Sequence, residues 1–135
     1  MPTYFEIVKA ALDDAYSEFE GDEKAVDQAI NNRLKELSDR YRDVLNQGGP
    51  DYADAATRFA YLFRYASAHA DYLSSIIYAS NAIQNALKLD RVHISCIGGG
   101  PGSDVLRFLK FVLAQEKRPQ LTYFIIDKET AWAAV

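Results

Sequence analysis

The chain has 135 residues, 15 Lys plus Arg against 19 Asp plus Glu, and a formal net charge of −4. With 49% hydrophobic and 25% charged side chains it has the composition of an ordinary folded protein, which excludes intrinsic disorder; the length predicts one domain, or a small module beside part of another. Cys96 is the single cysteine, which excludes an intramolecular disulfide or a cysteine-cluster zinc site and makes a reducing, cytoplasmic setting the expectation.

No apolar run approaches the roughly 20 residues that span a bilayer, and the first residues lack a basic stretch followed by an apolar core, so neither membrane insertion nor a secretory signal is expected. Residues 1–90 carry 9 basic and 15 acidic side chains, and residues 91–135 carry 6 and 4. Neither part is basic enough to hold nucleic acid stably by neutralising phosphates.

In chain order, Phe5, Val8, Leu12, Ala15 and Phe19 recur at spacings of three and four, one stripe of an amphipathic helix. Thr3 with Glu6 has the spacing of a capping box, and Gly21 stops the helix. Asp22 can cap a second helix with the stripe Val26, Ile30, Leu34, Leu37, Tyr41, Val44, ending at Gln47-Gly48-Gly49-Pro50. From Asp51 to Lys88 there is neither Gly nor Pro, and apolar side chains from Phe59 to Leu87 keep helical spacing. A single helix of that length would be ~57 Å long, so a bend or break is expected near Ser67–Asp71. Residues 1–90 thus form a helical N-terminal region of three or four helices.

The texture then changes. Residues 92–97 read as a short strand, Gly98-Gly99-Gly100-Pro101-Gly102 follows at once, and residues 103–116 regain helical spacing through Val105, Leu106, Leu109, Val112 and Leu113. Residues 121–126 form a second strand with few polar side chains, as expected where both faces are covered. Asp127-Lys128-Glu129 opens a further helical turn. Strand, glycine-rich turn, helix and strand make a βαβ unit, and the expected fold class is α/β.

Glycines after a strand let the backbone turn sharply and approach a ligand, with the following helix's N–H groups pointing at it. An acid at the end of the next strand is placed to accept from ribose hydroxyls; Asp127 ends the second strand, 25 residues after Gly102. Together these features imply a nucleoside-bearing cofactor. The dinucleotide pattern needs Gly or Ala at position 103 and meets Ser103, and a Walker A loop is absent. The pattern present is G-x-G-x-G, at Gly98, Gly100 and Gly102, with Pro101 inserted.

This stretch, roughly residues 92–135, resembles motif I of the class I S-adenosylmethionine-dependent methyltransferases. The resemblance implies that Gly98, Gly100 and Gly102 form the cofactor loop and that Asp127 binds the ribose. The family's acid two residues before the first loop glycine is replaced by Cys96, and Asp104, just inside the helix, is the candidate to replace its carboxylate. It further implies a Rossmann-like sheet of about seven strands, of which 91–135 holds only the first β-α-β unit. The later strands and the catalytic motif are absent, so this piece is expected to be a truncated cofactor-binding part, inactive by itself and weak or silent in S-adenosyl-L-methionine binding. Two strands with exposed edges invite self-association or strand exchange.

Plainer explanations stand beside these. The glycines also suit a tight turn, and Asp127 also suits a helix cap. Cys96 fits a small buried hydrophobe better than a nucleophile. His69 and His93 have no partner at ligand spacing, so no metal site is expected. The aromatic run Phe59, Tyr61, Phe63, Tyr65, Tyr72, Tyr78 suits core and interface better than base stacking, and Arg58 and Arg64 suit ion pairs with acids such as Asp54. No catalytic residue or methyl acceptor can be assigned. The competing function is a non-catalytic helical interaction or oligomerisation module with a vestigial cofactor loop; a dinucleotide-binding module is disfavoured by Ser103.

Overall fold

The computed structural model describes residues 3–134 as a mixed α/β, mostly helical chain with a small parallel sheet. Its contacts divide it into two compact units, one made of the chain up to Ser67 with the residues from Glu129 onwards, the other Ala68–Lys128.

In the first unit α1 spans Tyr4–Ser17, and the capping box forms as the sequence predicts: the Thr3 hydroxyl accepts from the Glu6 N–H and the Glu6 carboxylate accepts from the Thr3 N–H. Gly21 has a left-handed φ of 112°, and Asp22 caps α2, Glu23–Arg42, by accepting from the Ala25 N–H. A four-residue α3, Val44–Gln47, follows; the Val44 side chain, assigned to the α2 stripe, lies outside the described ones. Asp54 caps α4, Ala55–Tyr61, which runs directly into a π-helical turn, Leu62–Ala66. The core here is Val26, Ile30 and Ala56, with Tyr16, Phe19, Leu34 and Phe59 packed around them. Tyr16, Phe19 and Phe59 meet at ring-centre distances of 5.9–6.1 Å. A second aromatic cluster joins Tyr52 and Tyr61 to Trp132, which is buried on a 3₁₀ turn at Thr130–Ala134.

In the second unit the expected break at Ser67–Asp71 does not occur. Those residues are helical, in α5, Ser67–Ala79. The chain breaks instead at Ser80, whose backbone is extended and whose hydroxyl accepts from the Ile83 N–H to start α6, Asn81–Ala86. Gln84 donates to the carbonyls of Ile77 and Tyr78, covering orphaned acceptors at the end of α5. A side-chain cap thus does the work that no glycine or proline was present to do.

β1 is Arg91–Ile97, α7 is Ser103–Leu113 and β2 is Gln120–Ile126. The strands pair in parallel from Arg91 against Gln120 to Ile97 against Ile126. Ile77, Leu87, Val92 and Val112 form the core, joined by Leu73, Ile83, Ile94, Phe108, Phe111 and Leu121. The core face of α7 is therefore Phe108, Phe111 and Val112, whereas Leu109 and Leu113 of the expected stripe are exposed. Coverage of both sheet faces is also not found: Ile97, Phe124 and Ile126, in register on the face opposite Val92 and Cys96, are 85%, 49% and 54% exposed. The helices that complete the core pack on the Val92 side.

Candidate functional site

The residues singled out in the sequence gather where both parallel strands end. Ladder hydrogen bonding carries on past the strands: the N–H groups of Gly98 and Gly99 donate to the Ile126 carbonyl at 2.7 and 3.4 Å. The Gly102 N–H donates to the Gly99 carbonyl at 2.9 Å, closing a turn around Pro101. The Gly100 N–H donates to Asp127 Oδ2 at 2.9 Å. Each loop glycine thus already has an acceptor for its N–H within the protein.

The glycines serve different needs. Gly98, Gly100 and Gly102 have φ of 67°, 48° and 77°, the left-handed region that side chains with a Cβ rarely adopt. Gly99 does not, but a Cβ there would lie 3.0 Å from Cys96 Cβ, the Cys96 carbonyl and Ile125 Cγ2. At Gly102 a Cβ would meet Ile125 Cδ1 at 3.1 Å, so that residue is constrained twice. Gly98 differs: a Cβ there would meet nothing within 4 Å.

Gly102 is the N-cap of α7 and brings no side-chain cap, so the first turn of α7 lacks the oxygen that usually satisfies its N–H groups. Asp104 stands on this turn. Burial pushes the Cys96 thiol up from its ordinary value, and the Asp104 charge adds to the shift. Cys96 is therefore held as the uncharged thiol of a buried strand residue. Burial raises the Tyr123 phenol too, with Cys96 adding to it; the two lie on the same face of the sheet.

The other candidates are placed elsewhere. Asp54 pairs with Arg33, at 2.9 Å, rather than with Arg58 or Arg64. Arg58 donates to the carbonyls of Tyr52 and Ala53, and Arg64 lies over the Tyr65 ring. His93 stacks on Phe124. Tyr72 and Tyr78 are exposed, and Tyr78 packs against Phe111 and under the Arg107 guanidinium. Among the described residues no group of three His, Cys, Asp or Glu could hold a metal ion, and no helix is long and apolar enough to cross a membrane. Sequence reasoning missed Asp54 as a cap with an ion-pair partner 21 residues away; the signal was its position three residues before Thr57.

Comparison of the chain with protein-family models, with curated proteins and with solved structures returns no match.

Proposed function

We propose that residues 91–127 form the cofactor-binding part of a Rossmann-like, S-adenosylmethionine-dependent methyltransferase. The observation that carries this reading is the meeting of the Gly98–Gly102 loop and the Asp127 carboxylate at the carboxyl ends of two adjacent parallel strands, where α/β folds bind ligands. A carboxylate accepts at about four sites, so holding the Gly100 N–H is compatible with accepting from ribose hydroxyls.

The donors support one choice among nucleoside cofactors. A pyrophosphate is held by loop N–H groups together with a helix N-terminus; those of Gly98, Gly99, Gly100 and Gly102 are used internally, which leaves it the first turn of α7 alone. S-adenosylmethionine has no phosphate and asks less of the loop. Its carboxylate suits the uncapped first turn of α7, and its ammonium suits Asp104. When bound it supplies an electrophilic methyl group on a sulfonium. This chain's residues would hold the nucleoside and the amino acid in place, so that the methyl faces an acceptor in line at short range.

The experiment is a calorimetric titration of S-adenosylmethionine, S-adenosylhomocysteine and NAD into the whole chain. Weak binding of the first two, as expected of two strands of a larger sheet, with NAD silent and Asp127→Asn weakening affinity about tenfold through loss of a charge-assisted hydrogen bond, is the expected result. No heat from any of them at millimolar ligand would leave the second reading, a non-catalytic interaction module. That reading is favoured by the open apolar face of Ile97, Phe124 and Ile126, which together with the unpaired strand edges also supports self-association.

A further inference from the structure

The open face of the two-stranded sheet is divided along its length. Towards the glycine loop it is apolar, with Ile97, Phe124 and Ile126. At the other end it is polar: Arg91 and His93 of β1 and Gln120 of β2 are exposed, Thr122 is half-buried, and the four line a hollow of about 230 Å³. A face kept for covering helices would be apolar along its whole length. Register sets the arrangement, with Arg91 opposite Gln120 and His93 opposite Thr122. Their Cα atoms mark a rectangle about 4.8 Å across the strands and about 6.6 Å along them.

The chemistry of these corners is one-sided. Arg91 brings a permanent cation, Gln120 an amide group with two N–H donors, Thr122 a hydroxyl, and His93 at least one ring N–H in either charge state. None of these side chains has a hydrogen-bond or ion-pair partner among the described residues. The strands Arg91–Ile97 and Gln120–Ile126 contain no Asp or Glu, in a chain with 19 acids against 15 bases. The segments leading into them, 88–91 and 116–120, hold Lys88, Arg91, Lys117 and Arg118 against Asp90 and Glu116, and Asp90 is paired with Lys117.

Unpaired donors around one hollow select an anion. A carboxylate gathers its two oxygens in one plane. A phosphate monoester spreads three strong acceptor oxygens over a tetrahedron and carries about −1.5 to −2 charges, the better match to four donors on two strands. We infer that the polar end of the open sheet face binds the phosphoryl group of a small phosphate monoester. Arg91 takes two of its oxygens, and Gln120, Thr122 and His93 donate to the rest of the group. For strands of seven residues the site lies about 20 Å from the glycine loop, and it is independent of the cofactor reading.

The test is an NMR titration of the whole chain, backbone and side chain, with phenyl phosphate. Benzoate and a single-stranded oligonucleotide at matched ionic strength are the comparisons. Saturable shifts at Arg91, His93, Gln120 and Thr122, with Gly98–Gly102 unmoved, are expected from phenyl phosphate, and benzoate should bind at least about tenfold more weakly. Arg91→Gln should weaken phenyl phosphate at least about tenfold and Thr122→Val about threefold, both with unchanged circular dichroism. Lys24→Gln, which removes the same charge from the first turn of α2, should leave binding unchanged. No saturable shift at millimolar phenyl phosphate, equal affinity for benzoate, or equal weakening by Lys24→Gln would overturn the inference. So would an oligonucleotide that moves these four residues while phenyl phosphate does not, because the hollow would then belong to a nucleic-acid backbone.

Discussion

Gly98→Ala and Gly99→Ala should separate a glycine kept for a ligand from one kept for packing. At Gly98 the added methyl enters open space, so the cost is the left-handed backbone alone, roughly 1–2 kcal/mol, partly offset by about 0.4–1 kcal/mol from a less flexible unfolded chain. A net loss of about 1 kcal/mol follows. At Gly99 the backbone carries no such penalty, but the methyl meets Cys96 Cβ, the Cys96 carbonyl and Ile125 Cγ2 at 3.0 Å. The carbonyl belongs to the strand and cannot swing away, so an overpacking cost of about 2–3 kcal/mol is expected. Urea unfolding measures both. S-adenosylhomocysteine binding, measured where each variant is fully folded, should be lost in Gly98→Ala if the open space beside this glycine of the proposed cofactor loop is where the ligand sits. If Gly98→Ala binds like the parent, the space beside that glycine is not the cofactor's and the assignment of the loop is refuted.

Other substitutions probe the framework. Ile77→Ala removes a fully buried side chain from the second unit's core and should cost about 2–5 kcal/mol in denaturant unfolding; under 1 kcal/mol would mean that this core is not packed as described. Ser80→Ala should lower stability by about 1 kcal/mol, since the hydroxyl starts α6 where no glycine breaks the helix. Asp54→Asn should keep the α4 cap and lose only the ion pair with Arg33, whereas Asp54→Ala should lose both and cost about 1 kcal/mol more; equal losses would contradict the cap. Hydrogen bonding and charge from Arg33, with Arg40, hold Glu36 below the usual carboxylate range. At Asp54 burial pulls upward, but the Thr57 hydroxyl and N–H and Arg33 outweigh it. Lowered carboxyls give stability that is complete above about pH 4, their unfolded value, and fades as the pH falls further. Arg33→Ala should therefore flatten the acid limb of the unfolding midpoint, and an unchanged acid limb would count against the network.

The sequence was most legible where one residue type has one local task. Thr3 with Glu6 and Asp22 announced their caps, and the alternation of 92–97 before a glycine run announced a strand and a turn. Ser80 was illegible because a serine within a long helical pattern is as often an exposed helix residue as a cap; Gln84, which holds the broken end, has no spacing signal. The stripe on α7 was misassigned because apolar residues cover more than one face of that helix, and only packing against Leu121 and Val92 selects Phe108, Phe111 and Val112. At the site, three loop glycines matched the expected need for unusual backbone angles. Gly99 fills a requirement set by Ile125, a residue 26 positions away, which no local pattern could reveal. The bond from Gly100 to Asp127 was likewise hidden, although both residues were singled out.

The most direct test of the proposed cofactor site is residue-resolved: backbone amide NMR spectra of the whole chain with increasing S-adenosylhomocysteine. Saturable shifts centred on Gly98 to Asp104 and on Asp127, with the α1 and α2 amides unmoved, are the predicted result. Spectra that stay unchanged at millimolar ligand, or shifts that centre on another part of the chain, would contradict it.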